Sequence, residues 1–222
     1  MKRNDYQNEA DFGKSIQLDR QTEKLLLKQS YLATCKIITG KNNSPIHGTG
    51  FFCRIPLKGK IIKFLFTNNH VLNEDSIKEG EIIKCSYKKT LKKFEIKNRR
   101  CFTNEELDYT CIEILNEDQI EYFFEIENEN SNNPKEYNYE DIAIPQYPKG
   151  GPLKINSGYL SEIINDYQIY HYVTTDYGSS GSPIILILRN CRILGIHCAK
   201  LQGKNRGITM KKIIDDIEKV KR

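Results

Sequence analysis

Gly178-Ser179-Ser180-Gly181-Ser182-Pro183-Ile184-Ile185-Leu186-Ile187 reads as a tight turn with a strand directly behind it. The two glycines and the proline rule out a continuing helix. The apolar run that follows, Ile184–Leu188, is the longest uninterrupted one in the chain, far short of a membrane span and suited to a buried strand. The same turn-then-strand pattern recurs on both sides of it. Short β-rich runs are expected at Tyr31–Thr39, Thr49–Arg54, Ile61–Thr67, Ile82–Tyr87, Phe94–Phe102, Tyr109–Leu115, Asp141–Gln146, Gly158–Ile164, Ile169–Thr174, Pro183–Leu188 and Cys191–Cys198. Turn residues separate them: Lys41-Asn42-Asn43, Pro56 to Gly59, Pro148-Lys149-Gly150-Gly151 and Asp176-Tyr177-Gly178. Many short strands with Gly, Pro and Asn between them predict an all-β fold, a sandwich or a pair of barrels. Two helices flank this region. One is expected over Ser15 to Ser30, with Ile16, Leu18, Leu25 and Leu26 near one face, and one over Met210 to Val220, with Ile213, Ile214 and Ile217 on one face.

The 222 residues include 38% hydrophobic and 28% charged, enough for a real core and too many apolar groups for wholesale disorder. Thirteen Tyr and nine Phe favour strands over helical bundles. A polar stretch follows Met1-Lys2-Arg3, so no signal-peptide core is expected, and residues 1–14 read as loose. The composition argues against a membrane protein, a secretory precursor and a coiled coil. Cysteines at 35, 53, 85, 101, 111, 191 and 198 are odd in number and show no Cys-x-x-Cys spacing. That pattern suggests neither a disulfide framework nor a metal site. It fits buried reduced thiols in a reducing compartment, with a cytoplasmic location expected.

Net charge is +5, but it is unevenly spread. Residues 54–100 carry 13 Lys/Arg against 5 Asp/Glu, and residues 104–141 carry 13 Asp/Glu against 1 Lys. A basic stretch could bind nucleic acid. No stacking aromatics interleave with it, so nucleic acid is disfavoured, and two solvated faces that partly neutralise each other are expected instead.

The turn at 178–183 has the ingredients of a nucleophile site. A reactive serine needs an exposed tight turn, and acyl transfer needs backbone N–H groups converging where the carbonyl oxygen becomes an anion. The register Gly-x-Ser-Gly-x-Pro selects Ser180, with the Gly178 and Ser180 amides as oxyanion donors. A base must come from the four histidines at 47, 70, 171 and 197. His70 stands in Phe66-Thr67-Asn68-Asn69-His70-Val71-Leu72, just past an apolar strand, downstream of Gly48-Thr49-Gly50-Phe51-Phe52. Leu107-Asp108-Tyr109-Thr110-Cys111-Ile112 supplies a carboxylate leading into a buried strand, able to fix an imidazole tautomer. Asp141-Ile142-Ala143-Ile144 competes with it. Spacing favours Asp108, which lies 38 residues after His70 and 72 before Ser180.

These segments, in the order His, Asp, Ser, resemble those of chymotrypsin-fold (trypsin-like) serine proteases over roughly residues 31–215. Pro145-Gln146-Tyr147-Pro148-Lys149-Gly150 resembles that family's Gly-Tyr-Pro loop. The resemblance implies two six-stranded antiparallel β-barrels with the triad between them and a C-terminal helix behind. The organisation expected on that basis is a polar segment and helix over 1–30, a first barrel over 31–127, a connecting loop over 128–138, a second barrel over 139–208 and a helix over 209–222. It implies a serine endopeptidase acting on protein or peptide substrates through an acyl-enzyme, with no cofactor. Catalytic roles fall on His70, Asp108 and Ser180.

Departures from the secreted members are informative. No cysteine stands directly after His70, Ser179 replaces their Asp, and no Ile-Val-Gly-Gly activation sequence occurs. Activation by N-terminal clipping is therefore disfavoured. The chain looks nearer to the HtrA-like, glutamyl-endopeptidase and viral main-protease branches, without the PDZ extension of HtrA proper. The last two branches carry a Thr five residues before the nucleophile and a Gly-Ile/Met-His strand. Thr175 and His197 match those positions, and the resemblance implies that they bind a Glu or Gln side chain before the scissile bond. His47 and His171 are expected at the surface. Restraint of activity is expected from narrow specificity or a regulatory partner. The rival reading is a catalytically dormant, protease-like binding module.

Overall fold

The computed structural model describes residues 18–40, 46–127, 134–201 and 203–220. The expected loose segment 1–14, the turn at 41–43 and most of the loop at 128–138 lie outside them. Of that loop, Pro134–Tyr137 forms a 3-10 turn with Tyr137 buried.

Helix α1 spans Arg20–Ala33, later than expected. Asp19 explains its start, because its carboxylate accepts from Gln21 N (2.8 Å) and Thr22 N (3.0 Å), two of the amides that a first turn leaves unpaired. Burial of Leu26, Gln29, Ser30 and Ala33 follows helical spacing and carries the helix to the edge of β1, Thr34–Thr39. The first sheet continues through β2 (Ile46–Leu57), β3 (Lys60–Thr67), β4 (Ile82–Tyr87), β5 (Thr90–Glu95), β6 (Cys101–Asn104), β7 (Tyr109–Glu113) and the two-residue β8 (Phe124–Glu125). Its order is β5-β4-β1-β2-β3-β7-β6, with β8 parallel to β2.

This corrects the expectation of a first closed six-stranded barrel. The sheet is eight-stranded and its terminal strands, β5 and β6, do not pair. The expected single strand Phe94–Phe102 is broken between Glu95 and Cys101. The backbone there turns away: Ile96 N–H donates to Glu81 O (2.8 Å), and Arg99 reaches across to Glu113 O (2.9 Å) and the Asp118 carboxylate (2.9 and 3.3 Å). That Arg99–Asp118 pair is almost fully buried, and its fork geometry makes it a fixed strut at the gap.

The second sheet closes. Strands β9 (Asp141–Gln146), β10 (Lys154–Ile164), β11 (Gln168–His171), β12 (Pro183–Leu186), β13 (Arg192–Leu201) and β14 (Lys204–Thr209) form a barrel in the order β10-β11-β14-β13-β12-β9. Strand β14, Lys-Asn-Arg-Gly-Ile-Thr, has no strand signature of its own and forms by pairing between β11 and β13. Helix α2, Met210–Lys219, starts at Thr209, whose hydroxyl accepts from Lys212 N (3.3 Å), and buries Met210, Ile213 and Ile217.

One hydrophobic core joins the two sheets. Phe51, Phe64, Phe66 and Phe124 from the first sheet meet Ile185, Ile193, Ile196 and Ile208 from the barrel, with α2 against them. All seven cysteines are free thiols, and six are buried. No described helix is long and apolar enough to cross a membrane.

Candidate active site

His70 follows the end of β3 in a turn that Asn68 O anchors by accepting from Val71 N (3.2 Å) and Leu72 N (3.0 Å). Asp108 sits in the β6–β7 hairpin with φ 52°. That left-handed turn is held by Asn104 Oδ1, which accepts from Leu107 N (3.0 Å). The two side chains meet. The Asp108 carboxylate lies 2.8 and 2.9 Å from His70 Nδ1 and accepts the His70 backbone N–H at 3.1 Å. A carboxylate can only accept, so the imidazole proton is on Nδ1 and Nε2 is left with a free lone pair. The His70 side chain is 49% exposed and that of Asp108 16%, which leaves the base accessible and its partner sheltered.

Ser180 approaches from the barrel side. Its backbone C=O accepts from Thr49 N (2.8 Å), and Thr49 O accepts the Thr67 hydroxyl (2.8 Å), three residues before His70. Its Oγ donates to Cys198 O at 3.3 Å. Asn68 Nδ2 bridges the two sides by donating to Asp108 O (2.7 Å) and Cys198 Sγ (3.4 Å). The structure thus gathers residues 70, 108 and 180 around one bonded ring. Of the three, only His70 and Asp108 are hydrogen-bonded to each other, and the serine hydroxyl donates to Cys198 O.

The turn around Ser180 needs both its glycines. Gly178 has φ +86° and Gly181 φ +87°. A Cβ on Gly181 would stand 2.1 Å from Thr49 O, and one on Gly178 would stand 2.8 Å from Tyr147 O. Tyr177 O accepts from Lys149 N at 2.6 Å, so the planar peptide turns the Gly178 N–H to the opposite side. Neither Gly178 N nor Ser180 N donates to any acceptor among the described residues. Beneath the turn, the buried Ser179 hydroxyl donates to Gln146 Oε1 and accepts from Asp176 N (3.1 Å). Gln146 Nε2 donates to Thr174 O (2.9 Å), which ties the turn to β9. A neutral, hydrogen-bonded pair therefore supports the turn from beneath.

His197 lies just behind Ser180, its backbone pinned to Ser182 O (2.8 Å) and Gly181 N (3.0 Å). Its ring Nδ1 is 3.2 Å from His171 Nε2. His171 is fully buried, not at the surface as expected, because alternation along β11 turns both Ile169 and His171 inward. Burial pulls His171 down to about 4. Burial pulls His197 down to about 3, with His171 and His70 adding to it, so both rings are neutral near pH 7. The Thr175 hydroxyl donates to Asn205 Oδ1 (2.8 Å).

Sequence reading named neither Gln146, Asn68, Asn205 nor Cys198 as site residues. Each is a single polar or thiol side chain in a strand or at its end, a pattern that carries no local signal. Thr49 stood in a quoted motif, Gly48-Thr49-Gly50, but its bonds to Gly178 O (2.9 Å) and Tyr147 N (3.0 Å) depend on packing between the sheets. A separate cavity of about 350 Å³, lined by Glu74, Lys78, Phe102, Thr103, Tyr109 and Val220 among others, contains none of the candidate residues. No cluster of metal-ligating side chains occurs among the described residues.

The model of the trypsin-like peptidase domain family matches residues 48–196, a span that includes His70, Asp108 and Ser180. No curated protein matches the chain in sequence. Among solved structures, a serine endoprotease from Yersinia pestis is similar with a TM-score of 0.68 at 13% identity, over 92% of this chain and 67% of that one. The Rv3671c protease from M. tuberculosis is similar in its active form (TM-score 0.66, 14% identity, 91% of this chain and 87% of that one). It is similar in its inactive form to nearly the same degree (TM-score 0.64, 14% identity, 92% and 97%). At such identities the likeness is one of fold, a mostly β, chymotrypsin-like fold with two helices here.

Proposed function

The chain belongs to the trypsin-like peptidase domain family, a family of serine endopeptidases, and on that premise we propose that Ser180, His70 and Asp108 carry out its peptide-bond hydrolysis. The observation that supports this most is the two-oxygen contact of Asp108 with His70 Nδ1, which leaves Nε2 free as a base. Turning the Ser180 hydroxyl from Cys198 O toward that nitrogen lets the imidazole take its proton as Oγ attacks the substrate carbonyl carbon. The developing oxyanion is met by the unpartnered N–H groups of Gly178 and Ser180. Asp108 stabilises the imidazolium, which then protonates the leaving amine. Water repeats the sequence on the acyl-enzyme.

Thr175 and His197 form the wall that reads a Glu or Gln side chain before the scissile bond. The neutral His197, buried against the strand that leads from the nucleophile turn, supports this assignment. Free buried thiols support a reducing, cytoplasmic setting, and exposed Leu27 and Tyr31 on α1 offer a surface for a regulatory partner.

A peptide-library cleavage profile tests the reading. Wild type is expected to cleave after Glu or Gln and Ser180→Ala to cleave nothing, and a Ser180→Ala protein that still cleaves would sink the triad. The hydroxyl's present bond to Cys198 O favours the second reading, a dormant binding module. Labelling by a fluorophosphonate, lost in Ser180→Ala and in His70→Ala, separates the two.

A further inference from the structure

Two bonds made by one backbone residue, Val173, reach the pocket wall from behind. Its N–H donates to His171 Nδ1 at 3.3 Å. An amide N–H can only donate, so Nδ1 is the bare nitrogen of a neutral ring and the proton is on Nε2. That N–H donates to His197 Nδ1, which is therefore bare as well, and His197 carries its proton on Nε2. His197 Nε2 makes no hydrogen bond among the described residues and is not one of the sealed interior atoms left without a partner. The wall thus presents one N–H donor.

The other bond runs through the Val173 carbonyl, which accepts from Asn205 Nδ2 at 2.6 Å. This fixes the amide's orientation and turns Oδ1 to Thr175. Oδ1 only accepts, so the hydrogen of the Thr175 hydroxyl is committed to it and the oxygen's remaining lone pairs are free. The wall therefore presents one acceptor beside its donor. Residues His171 and Asn205 are cross-strand partners, so both arms lie in one layer of the barrel.

Resting on the proposed roles of Thr175 and His197, we infer that the pocket selects glutamine over glutamate, with His171 and Asn205 as the positioning residues. The glutamine carbonyl accepts from His197 Nε2 and its NH₂ donates to Thr175 Oγ1. A glutamate carboxylate has no hydrogen to give. It sets an oxygen against the Thr175 lone pairs and finds no cation in two neutral rings. The nearest arginine of β14, Arg206, alternates with Asn205 along the strand and so faces away from this wall. A site whose polar groups are left unpaired by the wrong side chain rejects it strongly.

The test is kcat/KM of the full chain on three peptides that differ only in the residue before the scissile bond: Gln, Glu and Ala. The inference expects Gln to exceed Glu by about a hundredfold. Asn205→Ala frees the Thr175 hydroxyl to donate, and the Gln-to-Glu ratio should fall at least tenfold, chiefly by a rise for Glu. His171→Phe removes the donor to His197 Nδ1 and should lower the ratio through a loss for Gln. Labelling by a fluorophosphonate, which has no side chain to read, verifies that each variant is folded. Should one variant fail that check, the other and the wild-type ratio decide. Glu cleaved as well as Gln or better overturns the inference and leaves the pocket assignment standing. Gln and Glu both no better than Ala overturn the pocket assignment as well.

Discussion

The interior of the first sheet mixes clustered rings with aliphatic chains, whereas that of the closed barrel is aliphatic apart from Tyr137. Phe52 stands against Tyr87, Phe94 and Phe123 at centroid distances of 5.2, 6.3 and 6.2 Å, all in edge-on geometry. The barrel encloses Ile142, Ile144, Leu160, Ile169, Ile184, Leu186 and Leu194, and it also seals in polar side chains: Gln146, His171, Ser179, His197 and Asn205. In the open sheet the rings gather around Phe52 among aliphatic neighbours, and edge-to-face contacts add to their burial. A closed six-stranded barrel has a narrower interior, where aliphatic groups fit and every buried polar atom must find a partner. The two halves accordingly hold different kinds of chemistry. The open sheet mounts His70 and Asp108 on turns at its end, within reach of solvent. The barrel holds His197 and Gln146, the latter beneath the Ser180 turn, on strands, where hydrogen bonds fix their orientation.

This contrast can be broken at its strongest point first. Asp108→Asn, on the first-sheet side, is expected to lower kcat by about 10⁴-fold through loss of the imidazole's orientation, with folding kept. Steady-state kinetics beside a thermal melt checks this, and a loss under tenfold would remove Asp108 from the triad. Next, Phe52→Ala should destabilise the protein by about 3–5 kcal/mol, because the hub of three ring contacts becomes a cavity. A denaturant titration showing under about 1 kcal/mol would mean that the open sheet repacks freely.

The barrel's buried imidazoles give the third effect. A histidine ordinarily titrates near 6.5, and burial lowers His171 to about 4 and His197 to about 3. The unfolded chain then binds more protons than the folded one below about 6.5, so stability must fall as the pH falls. Their contribution is complete above that pH and is lost on acidification toward the folded values, by roughly 3 kcal/mol at pH 4 for His171 alone. Melting temperature measured from pH 7 to 4 should drop, and His171→Phe should flatten the slope. An unchanged slope in that variant assigns the acid sensitivity elsewhere. The smallest effect is expected from Gln146→Leu, which removes the partner of Ser179 beneath the nucleophile turn. A kcat loss of about tenfold to a hundredfold with KM little changed would mark Gln146 as a positioning residue for the oxyanion donors. A change confined to stability would make it structural only.

Much of the site was legible because its causes are local. Gly178 and Gly181 announce backbone that side-chain-bearing residues rarely adopt, and both carry positive φ against close neighbours. His70 and Asp108 stood in motifs at the ends of readable strands, and they meet. Strand β9, Asp141–Gln146, was read with its observed bounds because its short apolar run ends at the turn residues Pro148-Lys149-Gly150. Strand β14 escaped notice because Lys204-Asn205-Arg206-Gly207 is polar and gains its strand form from neighbours on both sides. The gap in the first sheet escaped too, since Phe94 to Phe102 has strand-like composition and the bonds at the break, from Ile96 to Glu81 and from Arg99 to Glu113 and Asp118, are long-range.

Composition and short-range pattern therefore specified the turns, the strand-rich class and the helix at the C-terminus, each of which follows from backbone sterics and periodicity within a few residues. The choice of His70, Asp108 and Ser180 came from the resemblance to trypsin-like serine proteases. Which histidine is buried, what it touches and which nitrogen holds its proton came with closure of the barrel. His171 and His197 are 26 residues apart in the chain and become neighbours only through strand register, and register is a property of the whole sheet.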